Sequence, residues 1–394
     1  MRGLHLDLNW TSAIDDAYKL DADQLMKATG GNFGNLVFRH ALKSILSKLD
    51  SFLPVTWPEA RQFSSSEKVE CVLVSCANWL GTSEEDERRN LGRAQIIESF
   101  DCPVVPFGLG VQAPSGAESV ELGPNTRRLA EALSLKCNLM SLRDSLTART
   151  LEGLGISNAI VTGCPSNFIN PDPWLGKSIV ERANGVAARV SSWGQVRTLI
   201  SEVGTSNLRS RKSGLKSIEF LHRYPSFYVL QSPNMMEFMV GVERDIPAGY
   251  NLTEAGITEA ELRAILLSKA IYFTSVDAWL DFSRTCSFCF GNRVHGTMVA
   301  LQAGVPSILI GHDARTEGLA KEMALPMVAE ESFSADFWRS PREAMSLVIN
   351  LMEEYDDRRS VLGSRFKLFV NENDLEPSSV LSGFPDGSSR FFVS

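Results

Sequence analysis

Gly291-Asn292-Arg293-Val294-His295-Gly296 runs straight into Thr297 to Ala303, and Gly304-Val305-Pro306 then leads to Ser307-Ile308-Leu309-Ile310. Cys286 to Phe290, just before, is apolar and reads as a buried strand. Thr297 to Ala303 is rich in helix formers and stops at Gly304. Ser307 to Ile310 reads as another strand. Strand, turn, helix and strand make the repeating unit of a parallel sheet. A helix that opens at such a turn offers free backbone N–H groups to an anion. Arg suits bidentate binding of carboxylate or phosphate oxygens. His is the side chain whose proton moves near neutral pH. Arg293 and His295 are therefore the candidate catalytic pair, with Asn292, Gly296 and Thr297 as candidate substrate contacts beside them.

The same rhythm extends in both directions. Val69 to Cys76, Pro103 to Gly110, Asn138 to Leu142 and Ala159 to Val161 read as strands. Helical patterns over Phe38 to Leu49, Glu87 to Phe100, Asn125 to Leu133 and Ser145 to Leu154 lie among them. Ser226 to Gln231 and Lys269 to Phe273 continue it, and Ser334 to Tyr355 reads as a helix with a break at Pro341. Strands joined by crossover helices imply a parallel, doubly wound α/β sheet. Asn167 to Pro173 interrupts the pattern and marks a domain boundary. Gly176 to Tyr224 is polar and weakly periodic; Ala187 to Val190 is the one place there that could open a second sheet. The tail from Glu376 reads as irregular.

The chain has 394 residues, 44% of them hydrophobic and 22% charged. That length fits two domains. A net charge of −8 argues against nucleic acid as a partner. The seven cysteines sit mostly in apolar strand-like runs, where Cys acts as a small hydrophobe. Cys286-x-x-Cys289 has no second pair at zinc spacing, so no metal site is expected. No signal peptide and no apolar run of ~18 residues is present, which points to a reduced, cytosolic protein.

Other polar turns fall at strand ends. Thr29 to Asn35, with Gly30, Gly31, Asn32 and Gly34, precedes a helix that begins near Leu36. Its glycines let backbone approach a ligand, or simply build a tight turn capped by Asn35. It lacks the trailing Gly-Lys-Ser/Thr of a nucleotide P-loop. Asn78 and Gln112 end two further strands and are candidate substrate contacts. Arg143 ends another, with Asp144 placed to cap the next helix. Arg315, after His312 and Asp313, could reach the anion held by Arg293. Glu84 to Arg89 reads as a solvated helix start. Arg209, Arg211, Lys212, Lys216 and Arg223 form a solvated face or a contact with an acidic glycan or membrane surface.

These residues resemble the polysaccharide pyruvyl transferase family. Gly30-Gly31-Asn32-Phe33-Gly34-Asn35 resembles its N-terminal Gly-Gly-x-Asn-x-Gly-Asp turn, with Asn35 where Asp is usual. Ser75 to Asn78 stands where many members carry three glycines. Gly108 to Gln112 and Leu142 to Ser145 follow in order, and Arg293-Val294-His295-Gly296 with Gly304-Val305-Pro306 is the most specific block. The resemblance implies two Rossmann-like domains facing a cleft, as in GT-B glycosyltransferases: residues 1–172 on the acceptor side, and 173–394 carrying the Arg-x-His turn, with the last helix returning to the first domain. It implies transfer of the pyruvyl group of phosphoenolpyruvate to a sugar of an exopolysaccharide or its precursor, as a ketal, with release of phosphate. His295 would act as an imidazolium acid towards carbon 3. The acceptor would be a nucleotide sugar, a lipid-linked oligosaccharide or a polysaccharide, met in the cytoplasm or at the inner face of the membrane, and no metal or redox cofactor is implied. Two alternatives stand beside this: a glycosyltransferase using a nucleotide sugar, and a non-catalytic module that binds sugar phosphates. Against the first, no acidic residue is evident at a strand end of the second half to grip a ribose.

Overall fold

The computed structural model describes residues 3–6, 12–66, 69–113, 117–203, 211–240, 257–333 and 339–386. Strands are numbered along the chain. The first sheet contains β1 (Gly3–Leu6), β2 (Phe52–Val55), β3 (Cys71–Ser75) and β4 (Val104–Phe107) in the order β2-β1-β3-β4. All its pairs are parallel. β5 (Met140–Leu142) and β6 (Ala159–Val161) form a parallel pair, which a bridge from Leu109 to Leu142 joins to the β4 side. The strand order reverses between β1 and β3. In an open parallel sheet that reversal opens a crevice at the carboxyl ends of the strands. β1 and β2 are strands that sequence reading passed over.

The second sheet holds β7 (Thr198–Ser201), β8 (Ser226–Val229), β9 (Ala270–Ile271), β10 (Phe288–Gly291), β11 (Ser307–Gly311) and β12 (Met327–Ala329). Its order is β12-β11-β10-β7-β8-β9, all parallel. That is the Rossmann order, with its reversal between β7 and β10. The expected α/β fold of two doubly wound Rossmann-like sheets is therefore present.

Three expectations need correcting here. Ala187 to Arg189 does not open the second sheet. It ends a helix, Leu175–Arg189, whose buried Leu175, Ile179, Ala183 and Val186 form one stripe at helical spacing. The sheet opens at β7, and β7 lies in its middle. The tail is not wholly irregular either. Ser379–Ser382 forms a helical turn, and Phe384 is buried edge-on to Phe168 with ring centroids 5.4 Å apart. Pro341 does not break a helix but begins one, Pro341–Leu351, with Ser340 as its cap. Most of the stretch expected as helix before it, residues 334–338, lies outside the described residues, as does Arg209 in the basic stretch.

The helix Tyr355–Glu372 ties the two sheets together. Phe369 meets Phe107 of β4 edge-on at 4.9 Å. Arg359, fully buried, donates to the carbonyl of Asn167 at 2.9 Å and to those of Asn170 and Asp172. Tyr355 Oη donates to Asn167 Oδ1 at 2.8 Å and accepts from Gln302 Nε2 at 3.1 Å. One guanidinium thus holds the connector between the sheets. Among the described residues no helix is long and apolar enough to cross a membrane.

Arg359→Met keeps the stem volume but strips three carbonyls of their donors. At about 1–3 kcal/mol for an orphaned buried group, a loss of roughly 3 kcal/mol or more is expected. Urea denaturation measures it; an unchanged midpoint would show that the connector is held by other contacts.

Candidate active site

A cavity of about 180 Å³ opens at the carboxyl ends of β1 and β3, where the first sheet reverses. Asn35, Phe38 and Arg39 reach it from the helix Gly34–Ile45. Ser75 to Ala77 and Trp79 reach it from the end of β3, and Trp57, Arg93, Arg143 and Cys164 complete the first-sheet wall. The remaining lining residue, His295, comes from the second sheet's side. Three arginines, Arg39, Arg93 and Arg143, line the cavity, and among the described residues no Asp or Glu does. Charge of one sign, gathered in a concave and partly dry space, attracts an anion.

Local sequence explains how His295 gets there. β10 ends at Gly291, and Arg293 precedes the first turn of the helix Val294–Gln302. His295 therefore projects from that turn towards the first sheet. It lies against Gly34, where a Cβ would come within 3.1 Å of the imidazole Cβ and Nδ1, so only glycine fits without displacing the ring. Asn32 Oδ1 accepts from Gly34 N at 2.7 Å and starts that helix, two residues earlier than Leu36. Asn35 is not its cap; its Nδ2 donates to Thr29 O at 2.9 Å and closes the glycine turn. Phe33 N donates to Gln231 O at 3.2 Å, a second tie across the cleft.

His295 Nε2 lies 3.6 Å from Cys164 Sγ, which also accepts from Ser166 Oγ at 3.1 Å. Burial, and after it the charge of Arg143, push the imidazole pKa down from 6.5 to about 3. The ring is neutral at pH 7, so the expectation of a standing imidazolium is corrected. Burial also lowers the pKa of Arg143, with Cys164 and the carboxylates of Asp144 and Asp313 acting against Arg315.

Of the other candidates, some support the cavity and some stand apart. Arg143 Nη1 donates to Asn78 Oδ1 at 2.6 Å, and Gln112 Nε2 donates to Asn78 O at 2.6 Å. Asn78 and Gln112 thus hold Arg143 rather than line the cavity. Asp144 caps its helix through Thr147 N at 2.8 Å. Gly31 sits in the left-handed region at φ +84° and shapes the turn. Arg293 does not line the cavity. Its Nη2 lies 3.5 Å from Glu202 Oε1, at the reversal of the second sheet, and its buried Nε has no hydrogen-bond partner among the described residues. Asn292 is buried and donates to Ser213 Oγ at 3.1 Å. Gly296 packs on Ser201 and Gln231, and Thr297 is buried one residue further on. Arg315 pairs with Asp313 at 3.3 Å, half exposed, and Asp313 caps the next helix through Thr316 N.

Sequence reading missed Glu202, the acidic residue at a strand end of the second half. Its carboxylate accepts from Gln231 N, Ser232 N and Ser232 Oγ, and it stands at the strand end where a ribose grip would stand. It also missed Cys164, Arg39, Trp57, Trp79 and Arg93 as cavity residues. Arg39 carried a signal: an Arg inside an otherwise buried helix stripe. Among the described residues no group of three or more His, Cys, Asp or Glu is placed to hold a metal ion.

A sequence model of the polysaccharide pyruvyl transferase family matches residues 32–314, which include every residue lining the cavity. The chain belongs to that family. It is accordingly a member of an enzyme family. No curated protein matches the chain. Among solved structures it is similar to a co-structure of S. aureus MnaA with UDP, at 11% identity over 96% of this chain and 99% of that one, with a TM-score of 0.39. It is also similar to the glycosyltransferase SnogD from Streptomyces nogalater, at 14% identity over 93% and 99%, with a TM-score of 0.30. Likenesses this weak bear on neither ligand nor mechanism.

Proton NMR tests the state of His295. Its ring signals should not titrate between about pH 8 and 5 in the free protein, and Arg143→Met should raise the midpoint, because it removes a cation beside a cation-to-be. A midpoint near the ordinary 6.5 in the parent would contradict the geometry.

Proposed function

We propose that this protein transfers the enolpyruvyl unit of phosphoenolpyruvate to two hydroxyls of a saccharide, forming a pyruvate ketal and releasing phosphate. The observation that carries the reading is the cavity's lining: Arg39, Arg143 and His295 stand in it, and among the described residues no Asp or Glu does. Phosphoenolpyruvate bears a phosphate and a carboxylate, and fixed positive charge matches both. Family membership supports the pyruvyl group as what is moved.

His295, protonated once bound negative charge raises its pKa, gives a proton to carbon 3 of the enol as the first acceptor hydroxyl adds its oxygen to carbon 2; carbon 3 becomes the methyl group, and that hydroxyl's proton replaces the one the imidazole gave up. The C–O bond to phosphate breaks as the second hydroxyl closes on carbon 2, and the second proton leaves on phosphate. Two hydroxyl protons are thus accounted for, one on carbon 3 and one on phosphate, and no electrons are exchanged with a cofactor. Bound anionic charge beside Arg143 raises the imidazole pKa from its free value and brings proton acceptance within reach. Cys164 and Ser166 orient the ring. Arg143, held by Asn78, stabilises the negative charge of the donor.

For the nucleotide-sugar alternative, Glu202 supplies the strand-end acidic residue that the sequence did not show, while family membership favours the pyruvyl group.

Incubation with phosphoenolpyruvate and a saccharide panel should release phosphate and add one pyruvyl ketal to a saccharide by mass spectrometry. His295→Ala should lower turnover about 10²-fold or more with its circular dichroism unchanged. Arg143→Met should weaken phosphoenolpyruvate binding more than saccharide binding. Full turnover in His295→Ala, or nucleotide-sugar consumption in place of phosphate release, would refute the proposal.

A further inference from the structure

Part of the cavity's lining has a different chemistry. Trp57 and Trp79 face each other with ring centroids 5.4 Å apart and planes inclined at 60°. The Arg93 guanidinium lies 4.3 Å from the Trp79 ring and 6.0 Å from Trp57. Three separate elements deliver these groups. Trp57 opens a helix just after β2, Trp79 follows β3, and Arg93 lies inside the helix Glu84–Glu98. Fully buried Asn90 fixes two of them together: its Nδ2 donates to Trp79 O at 2.7 Å, and its Oδ1 accepts from Arg93 Nη1 at 2.9 Å. Asn90 is itself tied to Thr126 Oγ1 at 2.9 Å. The aromatic corner is thus built and held before any ligand arrives.

Phosphoenolpyruvate has no use for such a corner. It is a small dense anion without an apolar face. A pyranose has what the corner matches: a face of C–H groups to lie on an indole, and a rim of hydroxyls for a guanidinium. We propose that Trp57, Trp79 and Arg93 form the acceptor subsite, which takes a hexopyranosyl ring and presents a pair of its hydroxyls along the cavity towards His295. The proposal rests on the reading of the cavity as a pyruvyl-transfer site, but it can fail or survive separately from it.

The test is saturation-transfer NMR with methyl β-D-galactopyranoside and methyl β-D-glucopyranoside on the whole protein, alongside calorimetric titration with phosphoenolpyruvate. The parent should show transfer to the ring protons of at least one glycoside. Trp57→Ala should weaken that glycoside roughly tenfold, the scale of losing one stacking platform, and leave phosphoenolpyruvate affinity within about twofold. Arg93→Gln, which can still donate towards Asn90, covers the case in which Trp57→Ala loses its native circular dichroism; it should weaken the glycoside in the same way. No transfer to either glycoside in the parent, or equal transfer in both variants, would overturn the subsite. If the glycoside binds in a Trp57-dependent manner while phosphoenolpyruvate does not bind the parent, the subsite stands and the donor assignment falls.

Discussion

The imidazole of His295 rests on Gly34, where a Cβ would approach its ring to 3.1 Å, and that contact brings the second parallel sheet against the first. Other features of the cleft follow from it. The glycine turn before the helix Gly34–Ile45 has to be stripped of side chains at that point. Phe33 and Gln231 hydrogen-bond beside it, and Cys164 approaches the other face of the reacting group through Nε2. A cavity that would otherwise belong wholly to the first sheet acquires a titratable group from the second. Any motion that parts the sheets removes that group from the anion site. Arg359, by gripping three carbonyls of the connector, limits such motion from the far end.

Charge then decides what the cavity can hold. Burial, and after it the charge of Arg143, hold the imidazole pKa far below its ordinary value, because a charged ring in a partly dry space beside a guanidinium is unfavourable. On the proposed reading, the negative charge of a bound donor offsets the Arg143 cation and makes the imidazole basic enough to take a proton. The carboxylates nearby are engaged elsewhere, Asp144 and Asp313 as helix caps and Glu202 by Gln231 and Ser232.

Much of the fold was readable where apolar runs met glycine punctuation, as at β3, β4, β10 and β11. β1 and β7 escaped because each is four residues long with polar neighbours, although both lie inside their sheets. β2 is an edge strand containing Pro54, which weakens any strand signal. The stripe of the helix Leu175–Arg189 was diluted by polar residues on its other faces. Missing β7 had a direct consequence for the site, because Glu202 at its end could not be recognised. His295 and Arg143 were legible since each sits at a strand-to-helix turn, a position with a known use. Cys164 was not, because its partner lies 131 residues away. Trp57, Trp79 and Arg93 gain meaning only when three elements converge. Reading Arg293 and His295 as one grip was natural from their spacing, but successive positions around a helix start point in different directions, and the structure sends one to Glu202 and the other to Cys164.

The most direct measurement is a crystal structure of the protein soaked with phosphoenolpyruvate. Phosphate or carboxylate oxygens should lie about 2.7–3.0 Å from the Arg143 guanidinium, with the enol carbon 3 facing His295 Nε2 or the path to it. Ligand density confined to the Arg293 and Glu202 side, or an empty cavity with Arg143 still bound only to Asn78 at saturating donor, would contradict the account.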